Sequence, residues 1–225
     1  MSRYLAAAIQ MDTQDDREEN FRTLEKLIAQ AAEQGAKLIC MPECVTYLGR
    51  NIADAAEEVP GGPSFRFFSA QAKRHGVWLH CGSIYEKSGD QRPYNCTMLL
   101  NPQGELVARY RKLHPFDVVL PNGTSVRESD TIRPGDSIVT AQAGRLGRLG
   151  FAICYDMRFG ELFRLMALEG AQIFVVPANF TLATGKDHWL PLLRARAIEN
   201  GCYVIAPGQI GKKPQFEAFG HSLII

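Results

Sequence analysis

The order strand, helix, strand at the start of the chain constrains the fold most. Residues 4–10 form a short apolar run. Phe21, Leu24, Leu27, Ile28, Ala31 and Ala32 then recur at helical spacing, with Asp15 or Asp16 as the cap and Glu18 and Glu19 at the positive helix end. Gly35 stops the helix, and residues 37–41 form a second apolar run. A strand, a helix and a strand in this order predict a crossover unit with parallel or mixed pairing.

The rest of the chain continues the alternation. Pro60-Gly-Gly-Pro63 is a break, and a second helix opens at Ser64 with Phe65, Phe68 and Ala72 on one face. Residues 77–85 read as a third strand. Residues 94–101 and 106–112, joined by Pro102-Gln-Gly104, read as a β-hairpin. Residues 114–136 show no clear period. Phe116, Val118, Val119 and Leu120 favour an ordered loop packed over something. Strands follow at 149–153, 173–177 and 203–206, with helices at 161–170 and 189–199. The chain ends on Gly220-His-Ser-Leu-Ile-Ile225, a strand beginning as the sequence stops. One α/β domain of 225 residues with mixed sheets and flanking helices is the expected architecture.

Charge excludes some functions. The 25 basic and 24 acidic residues balance to +1, with no basic run, so the footprint of a nucleic-acid binder is missing. No apolar stretch approaches bilayer-spanning length, and the N-terminus reads as a strand, not a signal peptide. Six scattered cysteines in mostly apolar segments suggest reduced thiols in the cytoplasm. Cys40 and Cys44 have a spacing that zinc sites use, yet no second pair completes a site.

Three residues stand at comparable strand ends. Glu43 follows Leu38-Ile-Cys-Met-Pro42, Lys112 follows Val107-Ala-Arg-Tyr-Arg111, and Cys154 follows Leu149-Gly-Phe-Ala-Ile153. Singly, each has an ordinary explanation: a solvated acid, an exposed lysine, a core thiol. Together they make coherent chemistry, because strand ends of one sheet converge in space. A thiol needs a base to attack well, and a partly buried glutamate supplies one. Negative charge built up by attack on an amide or nitrile carbon is stabilised by an ammonium and a backbone N–H.

Leu38-Ile-Cys-Met-Pro-Glu43, Arg109-Tyr-Arg-Lys-Leu-His114 and Gly150-Phe-Ala-Ile-Cys-Tyr-Asp-Met-Arg-Phe-Gly-Glu161 resemble, in order, the three signature segments of the nitrilase superfamily, the carbon–nitrogen hydrolases. The resemblance implies a four-layer α-β-β-α sandwich. It implies Glu43 as general base, Lys112 as oxyanion stabiliser, Cys154 as nucleophile and Glu128 as a second glutamate near the site. Tyr155 would add its N–H to the oxyanion site. No metal or organic cofactor is implied. Lys112-Leu-His-Pro-Phe-Asp117, Val126-Arg-Glu-Ser129 and Thr184-Gly-Lys-Asp-His-Trp189 resemble the Nit branch, which includes ω-amidases of 2-oxo acids and amidases of deaminated glutathione.

Substrates of that branch carry carboxylates, and Arg158 is placed to clamp one with two hydrogen bonds, or else to pair with Asp156 or Glu161 and shape the turn. Tyr47, Phe116, Phe180 and Thr181 are candidate pocket walls. Lys186, Asp187 and Pro115 depart from the branch pattern near the expected pocket. The family continues past Gly-His-Ser with another strand and a segment that packs on the partner subunit. A C-terminally shortened single domain over 1–225 is therefore expected, acting on a small-molecule amide as a homodimer or higher homo-oligomer, with no nucleic-acid or membrane partner. Three other readings stand beside the amidase: a nitrilase or N-carbamoyl amine amidohydrolase with the same residues; a Cys–His hydrolase using His114, His188 or His221; and a non-catalytic interaction module that keeps the fold.

Overall fold

The strand Ala36–Cys40, β2 in chain order, shows how the chain is layered. Leu38 and Cys40 enter one hydrophobic core, while Ile39 and the following Met41 enter another. Successive strand residues point to opposite faces, so β2 is buried on both sides. The structure, a computed structural model, describes residues 3–119, 123 and 125–225.

In the first sheet β1 (Leu5–Ala8), β2 and β3 (Trp78–His80) run parallel. β5 (Tyr94–Leu100) lies antiparallel to β3 and to β4 (Ile84–Glu86), and β6 (Leu106–Arg111) pairs along its other edge. In the second sheet β10 (Arg148–Phe151), β11 (Ile173–Val175) and β12 (Tyr203–Ala206) run parallel. Its antiparallel edges are β9 (Thr140–Gln142) and β13 (Leu223–Ile224). Helices α1 (Arg17–Glu33) and α2 (Pro63–His75) cover the first sheet with Leu24, Ile28, Phe68 and Ala72. Helices α3 (Gly160–Leu168) and α4 (Leu182–Asn200) cover the second, where Phe163 meets Phe174 edge-on at 5.1 Å. Between the sheets the His80 ring stacks on Phe151 at 5.6 Å. The layer order is α-β-β-α, as expected.

Local chemistry sets the element ends. Asp16, not Asp15, caps α1, accepting from the Glu19 N–H at 3.0 Å. The expected third strand is two strands, because the chain breaks at Gly82, whose φ of +58° suits glycine. A Cβ there would lie 2.0 Å from the Pro42 carbonyl oxygen, so the break lets the β2 exit pass. Helix α4 starts seven residues before the predicted 189. Gly185 lies in the added first turns, and Pro191 lies inside the helix as in the expected span. Gly185 is there for space, since a Cβ would meet the Phe219 ring at 2.2 Å. The irregular stretch 114–136 contains a hairpin, β7 (Asp117–Val119) with β8 (Ser125–Arg127). Val119 is 74% exposed there, so it does not pack as expected; Leu120 lies outside the described residues. Among the described residues no helix is long and apolar enough to cross a membrane.

Candidate active site

β2 and β6 end in the first sheet and β10 in the second, so the three candidate residues come together across the two sheets and not at the ends of one sheet as expected. Glu43 is buried. Its Oε1 accepts from Asn95 Nδ2 at 2.8 Å and from Lys112 Nζ at 3.1 Å, and its Oε2 accepts from the Asn179 N–H at 2.7 Å. Its backbone is pinned as well. Gln209 Nε2 donates to the Glu43 carbonyl at 2.9 Å, and Ser83 Oγ accepts from the Cys44 N–H at 2.9 Å. The Gly82 break therefore holds the carboxylate in place.

Lys112 is only 2% exposed and sits between two carboxylates, with Nζ 3.1 Å from Glu43 and 2.8 Å from Glu128. Burial pulls its pKa down, but the charges of Glu128 and Glu43 outweigh burial and hold it well above the usual lysine value. The group is an ammonium at neutral pH. Glu128 also accepts from the Phe116 N–H at 2.5 Å, which ties the lysine to the loop after β6.

Cys154 opens a 3-10 turn, Cys154–Arg158, with φ of +49°, a left-handed conformation uncommon outside glycine. Its N–H donates to Pro177 at 2.9 Å. Asp156 staples this turn to the lysine loop. Its carboxylate, fully buried, accepts from the Ile153 N–H at 2.8 Å, Tyr110 OH at 2.7 Å, His114 N–H at 3.0 Å and His114 Nδ1 at 2.7 Å. Burial pushes the Cys154 thiol pKa well up; the Glu43 charge adds to this and Lys112 pulls it back. The resting group is thus the thiol beside a carboxylate. The Tyr155 N–H, next in the turn, makes no backbone hydrogen bond among the described residues.

The wall residues divide. Phe116 meets Tyr155 edge-on at 5.1 Å. The Arg158 guanidinium lies 5.4 Å from the Tyr155 ring and 5.7 Å from the Phe180 ring. It does not pair with Asp156, whose oxygens are taken, nor with Glu161. Its Nη2 meets His188 Nδ1 at 3.1 Å, and its buried Nε has no partner among the described residues. Tyr47 instead lines a separate cavity of about 520 Å³ with Gln14, Arg50 and Lys212. Thr181 spends its hydroxyl on capping α4, accepting from the Thr184 N–H at 3.4 Å. The three candidate histidines are engaged elsewhere: His114 with Asp156, His188 with Arg158, and His221 with the Phe219 carbonyl at 2.7 Å. Among the described residues no three His, Cys, Asp or Glu side chains gather as a metal site requires.

Sequence reasoning missed Asn95, Asp156, Asn179 and Gln209. A signal for Asn179 was present, since Val176-Pro-Ala-Asn179 repeats the strand, proline, polar order of Met41-Pro-Glu43. Asn95 is a lone buried amide in a strand, and its partner Glu43 is 52 residues away.

A family model described as carbon-nitrogen hydrolase matches residues 5–225. The deaminated glutathione amidase of Mus musculus is 40% identical over 228 residues, covering 98% of this chain and 71% of that protein. The protein of the same name from Synechocystis sp. is 41% identical, covering 100% of this chain and 85% of that one. Among solved structures, the C. elegans NitFhit protein superposes with a TM-score of 0.89 at 34% identity, over 99% of this chain. The chain spans about half of that longer protein, 55%.

Proposed function

The chain belongs to the carbon–nitrogen hydrolase family, and from that premise we propose that it hydrolyses a small carboxylate-bearing amide through a cysteine thioester, releasing ammonia. The observation that carries this reading is the buried Lys112 ammonium shared by Glu43 and Glu128, beside a thiol held on a left-handed turn.

Each group has one task. Glu43 takes the thiol proton as Cys154 Sγ bonds to the amide carbon. A resting thiol suits this, because the proton moves with the attack. The carbonyl oxygen becomes an oxyanion between Lys112 Nζ and the Tyr155 N–H. Glu43 then returns its proton to the nitrogen, the C–N bond breaks and ammonia leaves. Water, deprotonated by Glu43, cleaves the thioester and frees the thiol and a carboxylic acid. Glu128 holds Lys112 in place. The reaction needs no metal or cofactor.

Arg158 defines the substrate class. A guanidinium flanked by Tyr155 and Phe180 offers charge and donors to a carboxylate at the far end of the substrate. Relatives named deaminated glutathione amidase favour the same class. The proposal includes a single domain, a cytoplasmic setting and a homo-oligomer; Leu165, Leu168 and Ile198 leave exposed apolar surface on α3 and α4 for a second copy.

An ammonia-release screen tests the reading, comparing 2-oxoglutaramate, deaminated glutathione, N-carbamoyl amines, simple aliphatic amides and nitriles. The carboxylate-bearing amides are expected to respond best. A response to nitriles alone would sink the substrate class.

A further inference from the structure

The donors around Glu43 divide unevenly between its two oxygens. Oε1 accepts from Asn95 Nδ2 at 2.8 Å and from Lys112 Nζ at 3.1 Å. Oε2 accepts from the Asn179 N–H at 2.7 Å, and that same N–H also acts on the Cys154 thiol. A carboxylate oxygen accepts about two hydrogen bonds. Oε1 is therefore full, and Oε2, on the thiol side, keeps one place open. Asn95 is 1% exposed, in a strand buried along its whole length. Its Oδ1 has no donor among the described residues. A buried acceptor left alone costs free energy, and here the bond from Nδ2 to the carboxylate offsets it.

We propose that Asn95 is a positioning residue of the base: with Lys112 it fills Glu43 Oε1, so that Oε2 alone carries the thiol proton to the leaving nitrogen. Charge separates the two donors. Lys112 meets Glu43 as an ammonium meets a carboxylate, and charge-assisted bonds are about twice as strong as neutral ones. Once Glu43 takes the proton its charge is gone, and the ammonium is drawn to the oxyanion. The Asn95 amide carries no charge of its own, so its bond weakens but persists while Lys112 turns away. The Asn95 carbonyl also accepts from the Lys112 N–H at 2.9 Å, so one residue anchors both the carboxylate and the lysine backbone.

This rests on the amidase reading above. The Cys154 proton passes to Oε2 as Sγ bonds to the amide carbon and the carbonyl electron pair moves onto oxygen. The Oε2–H then gives its proton to the nitrogen as the C–N bond breaks. Without Asn95, the protonated carboxyl keeps only the Asn179 N–H once Lys112 leaves it. It can then turn about that bond, and its O–H no longer faces the nitrogen.

Asn95→Leu removes the donor at nearly the same size. Asn95→Ala, which adds no bulk beside Glu43, is the second variant and guards against a simple packing defect. The readouts are kcat and KM for one carboxylate-bearing amide, and kcat/KM for the p-nitrophenyl ester of the same acid, whose leaving group departs without a returned proton. On the amide, kcat should fall at least about tenfold, the effect of one lost hydrogen bond to a charged group, with KM within about twofold of wild type. The loss on the ester should be at least about threefold smaller, because Glu43 there takes a proton but need not return it. Equal losses on both substrates, a loss carried by KM, or an amide kcat within about twofold of wild type overturns this inference while the amidase reading stands. A wild-type chain that cleaves the ester and no amide overturns the amidase reading, and this inference with it.

Discussion

Replacing Asp156 by Asn keeps the shape of the staple and removes its charge. The four donors divide evenly: Tyr110 OH and the Ile153 N–H on Oδ2, the His114 N–H and Nδ1 on Oδ1. A backbone N–H sits on each side, so whichever way the new amide turns, its NH2 faces a donor that cannot reverse. The variant loses a charge-assisted bond, about 1.5–3 kcal/mol, and leaves a buried N–H unsatisfied, about 1–3 kcal/mol. The combined loss is about 2.5–6 kcal/mol. For a chain of this size each kcal/mol moves Tm by about 2–4 °C, so a fall on the order of 10 °C is expected by differential scanning calorimetry. Tyr110→Phe removes the bond to Asp156 and also takes away the acceptor of the Leu113 N–H, which donates to Tyr110 OH at 3.3 Å, so a loss of about 1–3 kcal/mol is expected. The staple also holds Cys154 at its left-handed φ, so Asp156→Asn should lose activity below its transition. A Tm for Asp156→Asn within about 2 °C of wild type would refute the reasoning.

Glu43→Gln removes a charge that helps raise the Cys154 pKa, so iodoacetamide alkylation of Cys154 should begin at lower pH in the variant; a profile unmoved or moved upward contradicts the geometry. In Gly82→Ala the new Cβ meets the Pro42 carbonyl at a left-handed φ, so Glu43 must shift, and kcat should fall by more than about tenfold. Wild-type kcat in that variant would show that the break does not position the base. Lys112→Met leaves two carboxylates facing each other in a buried site. It should cost about 10²–10³ in kcat/KM and about 3–5 kcal/mol in urea unfolding. A loss of activity without destabilisation would contradict the paired-carboxylate arrangement.

What the sequence made legible was local. Each of Glu43, Lys112 and Cys154 follows a strand, and the ends of those strands converge in the structure. An α/β domain with mixed sheets and flanking helices was legible from the apolar face of α1 and the apolar runs of β2, β10 and β11, while the four-layer order came from the resemblance of the three segments to the family. The supports were not legible, because they depend on distant partners. Asp156 looked like one polar residue in a turn, yet its donors Tyr110 and His114 lie 46 and 42 residues away. Gly82 looked like a residue within a strand until the Pro42 carbonyl came against it. Gly185 and Pro191 carry helix-breaking signals that the packing of α4 overrides. Tyr47 was a candidate pocket wall, but the chain turns at Cys44, φ +53°, and Tyr47 lines another cavity.

The central claim is that Cys154 carries the acyl group. Wild-type chain mixed with a carboxylate-bearing amide, quenched in acid within one turnover and mapped by peptide mass spectrometry tests it most directly. The account predicts an adduct of the acyl mass on the Cys154 peptide, absent from Cys154→Ala, which should release no ammonia. An adduct on another cysteine, or ammonia release that survives in Cys154→Ala, would contradict it.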